Sequence, residues 1–155
     1  MPASPKHAPW LRSAQPTIRL EAKAIGALES RIGPAFEEAV LQILKGTQQG
    51  GKLVFTGIGK SADVARKTVA TLNSTGTAAA FLHAADALHG DLGLISEGDV
   101  VMAVSKSGAT AELIALLPML QARDLNLMAM VGRPDSPVGK AAGVVLDVSV
   151  EQEAC

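Results

Sequence analysis

The chain has 155 residues, enough for one domain that buries a core without disulfides or metals. Its formal net charge is −1, and no Lys/Arg run is interleaved with aromatics, so we expect no nucleic-acid partner. The apolar stretches are too short to span a bilayer, no secretory leader is recognisable, and the single cysteine, Cys155, cannot form an intramolecular disulfide. These features predict a cytoplasmic protein without membrane association.

The first residues of the chain are rich in proline and show no hydrophobic periodicity. We therefore predict a flexible N-terminal arm over residues 1–16 and a folded domain over residues 17–155. Two helices open the domain, because apolar residues recur at helical spacing on both sides of Gly33-Pro34. The first is predicted from Thr17 to about Arg31, and the second from Pro34 to Leu44, with Gly46 as its end.

From Lys52 onward, short apolar runs alternate with helical segments. Such runs are typical of strands that are buried on both faces of a parallel sheet. The alternation predicts an α/β fold, with a five-stranded parallel sheet in a three-layer α/β/α sandwich, and we expect this sheet to have the flavodoxin-like strand order. The predicted strands are 52–56, 78–83, 99–104, 125–131 and 144–150, and the helices between them are 61–73, 110–123 and 136–142, with a mixed segment at 84–92.

The polar turn after the third strand is the most informative segment. It reads Ser105-Lys-Ser-Gly-Ala-Thr110 and leads directly into a helix. A helix N-terminus offers unpaired backbone N–H groups and a positive dipole end, and Gly108 lets the backbone approach an anion closely. The hydroxyls of Ser105, Ser107 and Thr110 add donors, so the pattern predicts a phosphate site. A plain turn with Thr110 as helix N-cap is the alternative.

The glycine turn after the first strand, Gly57-Ile-Gly-Lys-Ser61, has two further interpretations. A nucleotide P-loop is excluded, because its first glycine would fall at Val54. A dinucleotide fingerprint would use Gly57, Gly59 and Ala62. The acidic residue expected after the second strand is missing, since His83 stands there, and nucleotide binding stays a minor alternative.

Two histidines and an aspartate follow the second strand. His83, His89 and Asp91 could ligate Zn²⁺, but their spacing matches no standard site. The other interpretation is ordinary loop polarity, with His89 bonded to the backbone.

Several motifs together resemble one known family. They are Gly57-Ile-Gly-Lys-Ser61, Ser74-Thr-Gly-Thr77, His89-Gly-Asp-Leu-Gly93, Ser105-Lys-Ser-Gly-Ala-Thr110, Gly132-Arg-Pro134 and Glu153-Ala-Cys155. In this order they closely resemble the arabinose-5-phosphate isomerases of the sugar isomerase (SIS) family, over about residues 17–155. Those enzymes interconvert ribulose 5-phosphate and arabinose 5-phosphate, so the resemblance implies a phosphorylated pentose as ligand.

The resemblance also implies roles for individual residues. It makes Lys60, Glu112 and Glu153 catalytic candidates for an isomerisation through an enediolate. It places Ser105, Ser107, Gly108 and Thr110 on the phosphate, and Gly59, Ser61 and His89 on the rest of the substrate. From the residues alone, the glycine-rich turn favours a functional Lys60 over a surface lysine. By the same reasoning, Glu112 is a helix-start acid stabilised by the dipole, and Glu153 is an acid of a polar tail.

The resemblance has consequences for cofactor and assembly too. It implies no required cofactor, with zinc near His89 as an inhibitor, and a homo-oligomer, dimer or tetramer. Family members continue past Glu-Ala-Cys into a helix and a loop whose histidine is implicated in catalysis, and this sequence ends at Cys155. We therefore expect a fragment, a non-catalytic phosphosugar-binding module, or a domain that a partner completes, with very low isomerase activity.

Overall fold

The computed structural model describes residues 9–154, so residues 1–8 of the predicted arm and Cys155 lie outside the described residues. The helices are α1 (Pro9–Leu28), α2 (Pro34–Gln48), α3 (Gly59–Ser74), α4 (Ala84–Leu88), α5 (Ala111–Gln121) and α6 (Pro137–Ala141), with 3₁₀ turns at Glu29–Arg31 and Asp91–Leu94. The strands are β1 (Leu53–Gly57), β2 (Ala79–His83), β3 (Val100–Ser105), β4 (Asn126–Val131) and β5 (Val144–Asp147). No helix among the described residues is both long and apolar enough to cross a membrane.

The chain divides into two compact units, which are described separately. Of the described residues, the first unit contains 9–32 and 150–154, and the second contains 33–149 with the whole sheet. In the first unit, α1 begins at Pro9 rather than at Thr17, so the predicted arm is helical from residue 9 onward. Proline is tolerated in the first helical turn, because its missing N–H would have no intrahelical partner there. The division at residue 17 stays a prediction.

All five strands are parallel, in the order β2-β1-β3-β4-β5. This is the order of flavodoxin-like sheets, which confirms the predicted fold class. The chain leaves β1 towards one edge to form β2 and then crosses back, so β3 lies on the other side of β1. The strand order therefore reverses between β1 and β3.

Helices cover both faces of the sheet, which completes the three layers. Leu53 and Phe55 of β1 are buried in a cluster with Ala65 of α3, and α2 packs on the same face. Val54, between them, is buried in the opposite cluster with Leu116 of α5. Because alternate side chains of one strand enter opposite cores, every position of β1 is buried.

The structure corrects the predicted end of the second helix. α2 continues through Gly46 to Gln48. A Cβ atom at Gly46 would lie 2.9 Å from Val100 Cγ2 and 3.2 Å from the carbonyl oxygen of Gly98. Gly46 therefore allows α2 to approach the start of β3 closely, and it is a packing residue rather than a helix stop.

Candidate functional site

The candidate site lies at the edge of the sheet formed by the carboxyl ends of the strands. Ligands of open parallel sheets bind in the crevice where the strand order reverses, which here is between β1 and β3. The two strands approach closely at this edge, since a Cβ atom at Gly57 would lie 2.9 Å from the carbonyl oxygen of Val104. The turn after β1 and the turn after β3 therefore flank one crevice.

Residues 105–110, the last residue of β3 and the turn that follows it, are called the phosphate loop below. Its buried Ser105 Oγ accepts a hydrogen bond from Gly108 N–H at 3.0 Å and lies 3.2 Å from Thr110 Oγ1. Ser107 Oγ accepts from Ala109 N–H at 3.2 Å. Gly108 has φ +59°, a left-handed conformation that favours glycine. The predicted phosphate-binding residues therefore form one compact loop.

Thr110 occupies the N-cap position of α5 without capping it. In the part of the chain that the structure describes, its side chain makes no capping hydrogen bond to the helix, and its hydroxyl lies against Ser105 instead. The plain-turn alternative depended on such a cap. Because the side chain of Thr110 does not cap α5, the backbone N–H groups at the start of this helix and the positive end of its dipole remain suited to a phosphate.

Two catalytic candidates lie at this same edge of the second unit. Lys60 is exposed and is the second residue of α3, directly after Gly59, which has φ +56°. Glu112 is half-buried and is the second residue of α5, directly after the phosphate loop. The half-buried Ser61 follows Lys60 in the first turn of α3. A cation, a carboxylate and a helix N-terminus that its N-cap side chain does not cap therefore border the crevice between β1 and β3.

Glu153 belongs to the other compact unit, where it is exposed. Its neighbour Glu151 accepts a hydrogen bond from Lys23 Nζ at 3.0 Å, and both of these side chains are exposed. The hydrogen bond and the charge of Lys23 lower the pKa of Glu151. Glu153 thus belongs to a different compact unit from Lys60 and Glu112, and its catalytic role stays a prediction.

The histidines after β2 do not form the metal site considered above. His89 and Asp91 are exposed, and the half-buried His83 has its Nδ1 3.8 Å from Asp86 Oδ1. Among residues 9–154, no three His, Cys, Asp or Glu side chains gather closely enough to hold a metal ion. Inhibitory zinc at His89 stays a prediction.

A comparison with known protein families identifies the family of this chain. The family described as SIS domain matches residues 47–155, which is more than half of the chain and includes both turns of the crevice. The chain belongs to the SIS domain family.

Relatives of this SIS domain carry isomerase names. It is 49% identical over 146 residues to the arabinose 5-phosphate isomerase KdsD of Pseudomonas aeruginosa, and 46% identical over 145 residues to the arabinose 5-phosphate isomerase GutQ of Escherichia coli. Each match covers 94% of this chain and 44% of the relative. The chain therefore spans less than half the length of these two relatives.

A solved structure supports the same assignment. A protein of Escherichia coli CFT073, described as being in complex with A5P, is 35% identical to this SIS domain. The two superpose with a TM-score of 0.83 over 94% of this chain and 76% of the other.

Sequence reasoning did not place the turn between β4 and α6 against the phosphate loop. Gly132 N–H donates to the carbonyl oxygen of Lys106 at 3.1 Å, and Val138 N–H donates to the carbonyl oxygen of Gly108 at 3.0 Å. This turn therefore packs directly against the phosphate loop. The motif Gly132-Arg-Pro134 was visible in the sequence, but nothing local indicated which loop it would touch.

Proposed function

We propose that this SIS domain binds a pentose 5-phosphate at residues 105–110 and serves the interconversion of ribulose 5-phosphate and arabinose 5-phosphate. The observation that carries the proposal is the phosphate loop, where Ser105, Ser107 and Thr110 surround the start of α5 beside the strand-order reversal. The names of the relatives and the A5P complex support the choice of sugar.

The chemistry of the proposed reaction assigns distinct tasks to the bordering residues. Aldose–ketose isomerisation moves a proton between C1 and C2 of the sugar and passes through an enediolate. Glu112 is one turn or less from the phosphate loop and is proposed as a base, with Glu153 as the second carboxylate. The ammonium group of Lys60 would stabilise the negative charge of the enediolate. Gly59, Ser61 and His89 are proposed to contact the sugar, and no cofactor is required.

Calorimetry with arabinose 5-phosphate tests the binding half of the proposal. The phosphorylated sugar is expected to bind measurably, whereas unphosphorylated arabinose is expected to bind at least about 100-fold more weakly, because charge-assisted bonds to the phosphate are absent. Equal affinities for the two sugars would contradict the proposal. A turnover assay with ribulose 5-phosphate then separates an isomerase domain from a non-catalytic binding module.

Replacement of Glu112 tests the proposed chemistry. Where turnover of ribulose 5-phosphate is measured, Glu112→Gln is expected to lower kcat by about 100-fold or more with little change in KM, since a base acts mainly in the transition state. Incorporation of solvent deuterium at C2 should fall in parallel. The matched control is Glu97→Gln, an exposed carboxylate that precedes β3 at the opposite edge of the sheet. A wild-type rate in Glu112→Gln would remove Glu112 from the mechanism.

We also propose that the protein is cytoplasmic and that it associates with further copies of itself. The outer surface of α2 exposes four large apolar side chains at helical spacing, namely Phe36, Val40, Leu41 and Leu44. Exposed apolar patches of this kind mark association surfaces. Light scattering is expected to show a dimer or tetramer, and Val40→Glu combined with Leu44→Glu is expected to shift it towards the monomer. A wild-type protein that is monomeric at high concentration would contradict this proposal.

A further inference from the structure

We infer that Ser136, in the turn between β4 and α6, is a positioning residue that sets the conformation of the phosphate loop through Gly108; the inference rests on the proposed function of that loop. Gly108 is buried and left-handed, with φ +59°. A Cβ atom built on it would overlap Ser136 Oγ and lie 2.6 Å from Ser136 Cβ. The side chain of Ser136 thus occupies the space that any other residue at position 108 would need.

Ser136 is itself held in place by the start of α6. Its side chain is 6% exposed, and its Oγ accepts a hydrogen bond from Gly139 N–H at 3.3 Å as the N-cap of the helix. Its backbone N–H donates to the carbonyl oxygen of Arg133 at 3.0 Å, and its carbonyl oxygen accepts from Lys140 N–H at 2.9 Å. Because its hydroxyl, N–H and carbonyl groups are all hydrogen-bonded, the side chain of Ser136 is held in one position against Gly108.

Gly108 is therefore constrained on three sides. Its N–H donates to Ser105 Oγ at 3.0 Å, its carbonyl oxygen accepts from Val138 N–H at 3.0 Å, and its Cα faces Ser136. The orientation of the peptide groups on either side of Gly108 follows from these contacts. Since the proposed phosphate donors are the hydroxyls of Ser107 and Thr110 and the N-terminus of α5, which flank Gly108 in the chain, a change at Ser136 should alter phosphate affinity without any contact between Ser136 and the ligand.

A double-mutant cycle with arabinose 5-phosphate as probe tests the coupling. Gly108→Ala is expected to weaken binding of arabinose 5-phosphate by at least about 30-fold. Ser136→Gly is expected to weaken it by about three- to tenfold, because the loop loses the side chain that packs against Gly108. The double variant should bind no more weakly than Gly108→Ala alone, since removal of the Ser136 side chain makes room for the new Cβ atom. Additive losses would overturn the inference.

Two controls isolate the overlap from other effects. Gly50→Ala introduces an alanine at φ +89° before β1 with no atom within 4 Å of its Cβ, so it imposes left-handed strain without an overlap, and the affinity of this variant should equal that of the wild type. Ser136→Ala keeps Cβ and removes only the hydroxyl, so it replaces Ser136→Gly if the glycine variant does not fold. In the Ser136→Ala background, Gly108→Ala should again reduce the affinity for arabinose 5-phosphate by a smaller factor than it does in the wild type.

A measurement without ligand keeps this inference separate from the proposed function. In the ligand-free protein, Ser136→Gly is expected to shift the amide NMR signals of Gly108 and Ala109 and to speed their hydrogen exchange, while amides in β5 stay unchanged. If wild-type protein binds no arabinose 5-phosphate, the proposed function fails, and the amide signals still test the role of Ser136. Unchanged Gly108 and Ala109 signals would overturn the positioning role.

Discussion

Replacing Ser107 and Thr110 together by alanine is expected to weaken the binding of pentose 5-phosphates by at least about 100-fold. Both hydroxyls belong to the phosphate loop, and Thr110 adjoins an α5 N-terminus that its side chain does not cap. Hydrogen bonds to a charged partner contribute about 1.5–3 kcal/mol each, so two of them account for a factor of this size. Calorimetry with arabinose 5-phosphate measures the change.

A matched double variant separates this effect from a general loss of hydroxyls. Ser74 and Thr75 are exposed at the end of α3, where their hydroxyls donate to carbonyl oxygens of their own helix. Ser74→Ala combined with Thr75→Ala should leave the affinity unchanged. Comparable losses in both double variants, or none in either, would show that the phosphate loop does not bind the phosphate.

Asp99→Asn is expected to lower the free energy of unfolding at pH 7 by about 3 kcal/mol, the loss typical of breaking a buried ion pair. Asp99 is 2% exposed and accepts hydrogen bonds from Lys52 Nζ at 2.6 Å, Lys52 N–H at 2.8 Å and Ser96 N–H at 2.8 Å. These bonds join the segment before β1 to the segment before β3. An asparagine keeps the shape but cannot accept from all three donors as a carboxylate does, and it leaves the Lys52 ammonium without its counter-charge.

The same carboxylate predicts how stability depends on pH. Burial alone would raise the pKa of Asp99, but the hydrogen bonds from Lys52 and Ser96 and the charge of Lys52 outweigh it and hold the pKa below its ordinary value. A lowered folded-state pKa contributes stability above the unfolded-state pKa, and that contribution is lost as pH falls through the folded-state value. The stability difference between wild type and Asp99→Asn should therefore begin to narrow below about pH 4, the ordinary value for aspartate, and should close only below the lowered folded-state pKa.

Urea unfolding at pH 7 and at pH 3.5 measures both effects. The matched control is Asp63→Asn, which removes an exposed carboxylate 3.4 Å from Arg66 Nη1 in the same unit. Exposed pairs contribute about 0–1 kcal/mol, so this variant should resemble the wild type at both pH values. A difference between wild type and Asp99→Asn that stays constant with pH would contradict the lowered pKa of Asp99.

Local pattern was sufficient to predict the strands and the phosphate loop. A strand with both faces covered is apolar at most positions, and the runs that form β1, β3 and β4 were visible between helical segments. Because residues 105–110 directly follow one of these runs, their place at the carboxyl edge of the sheet followed as well. The errors fell where local pattern was weak or ambiguous. Proline-rich residues 9–16 are helical, and Gly46 is a packing residue inside α2 rather than its end.

What the sequence by itself determined is the alternation of strands and helices, and with it the chemical character of the loop after β3. Alternation alone permits several strand orders, and the flavodoxin-like order was expected from the family resemblance. Only the tertiary structure showed that Asp99 pairs with Lys52 and that Ser136 packs against Gly108. Each of these contacts joins residues that are distant in the chain. Periodicity and turn chemistry report only on neighbours within a few residues, so the packing of the whole sheet decides which loops meet.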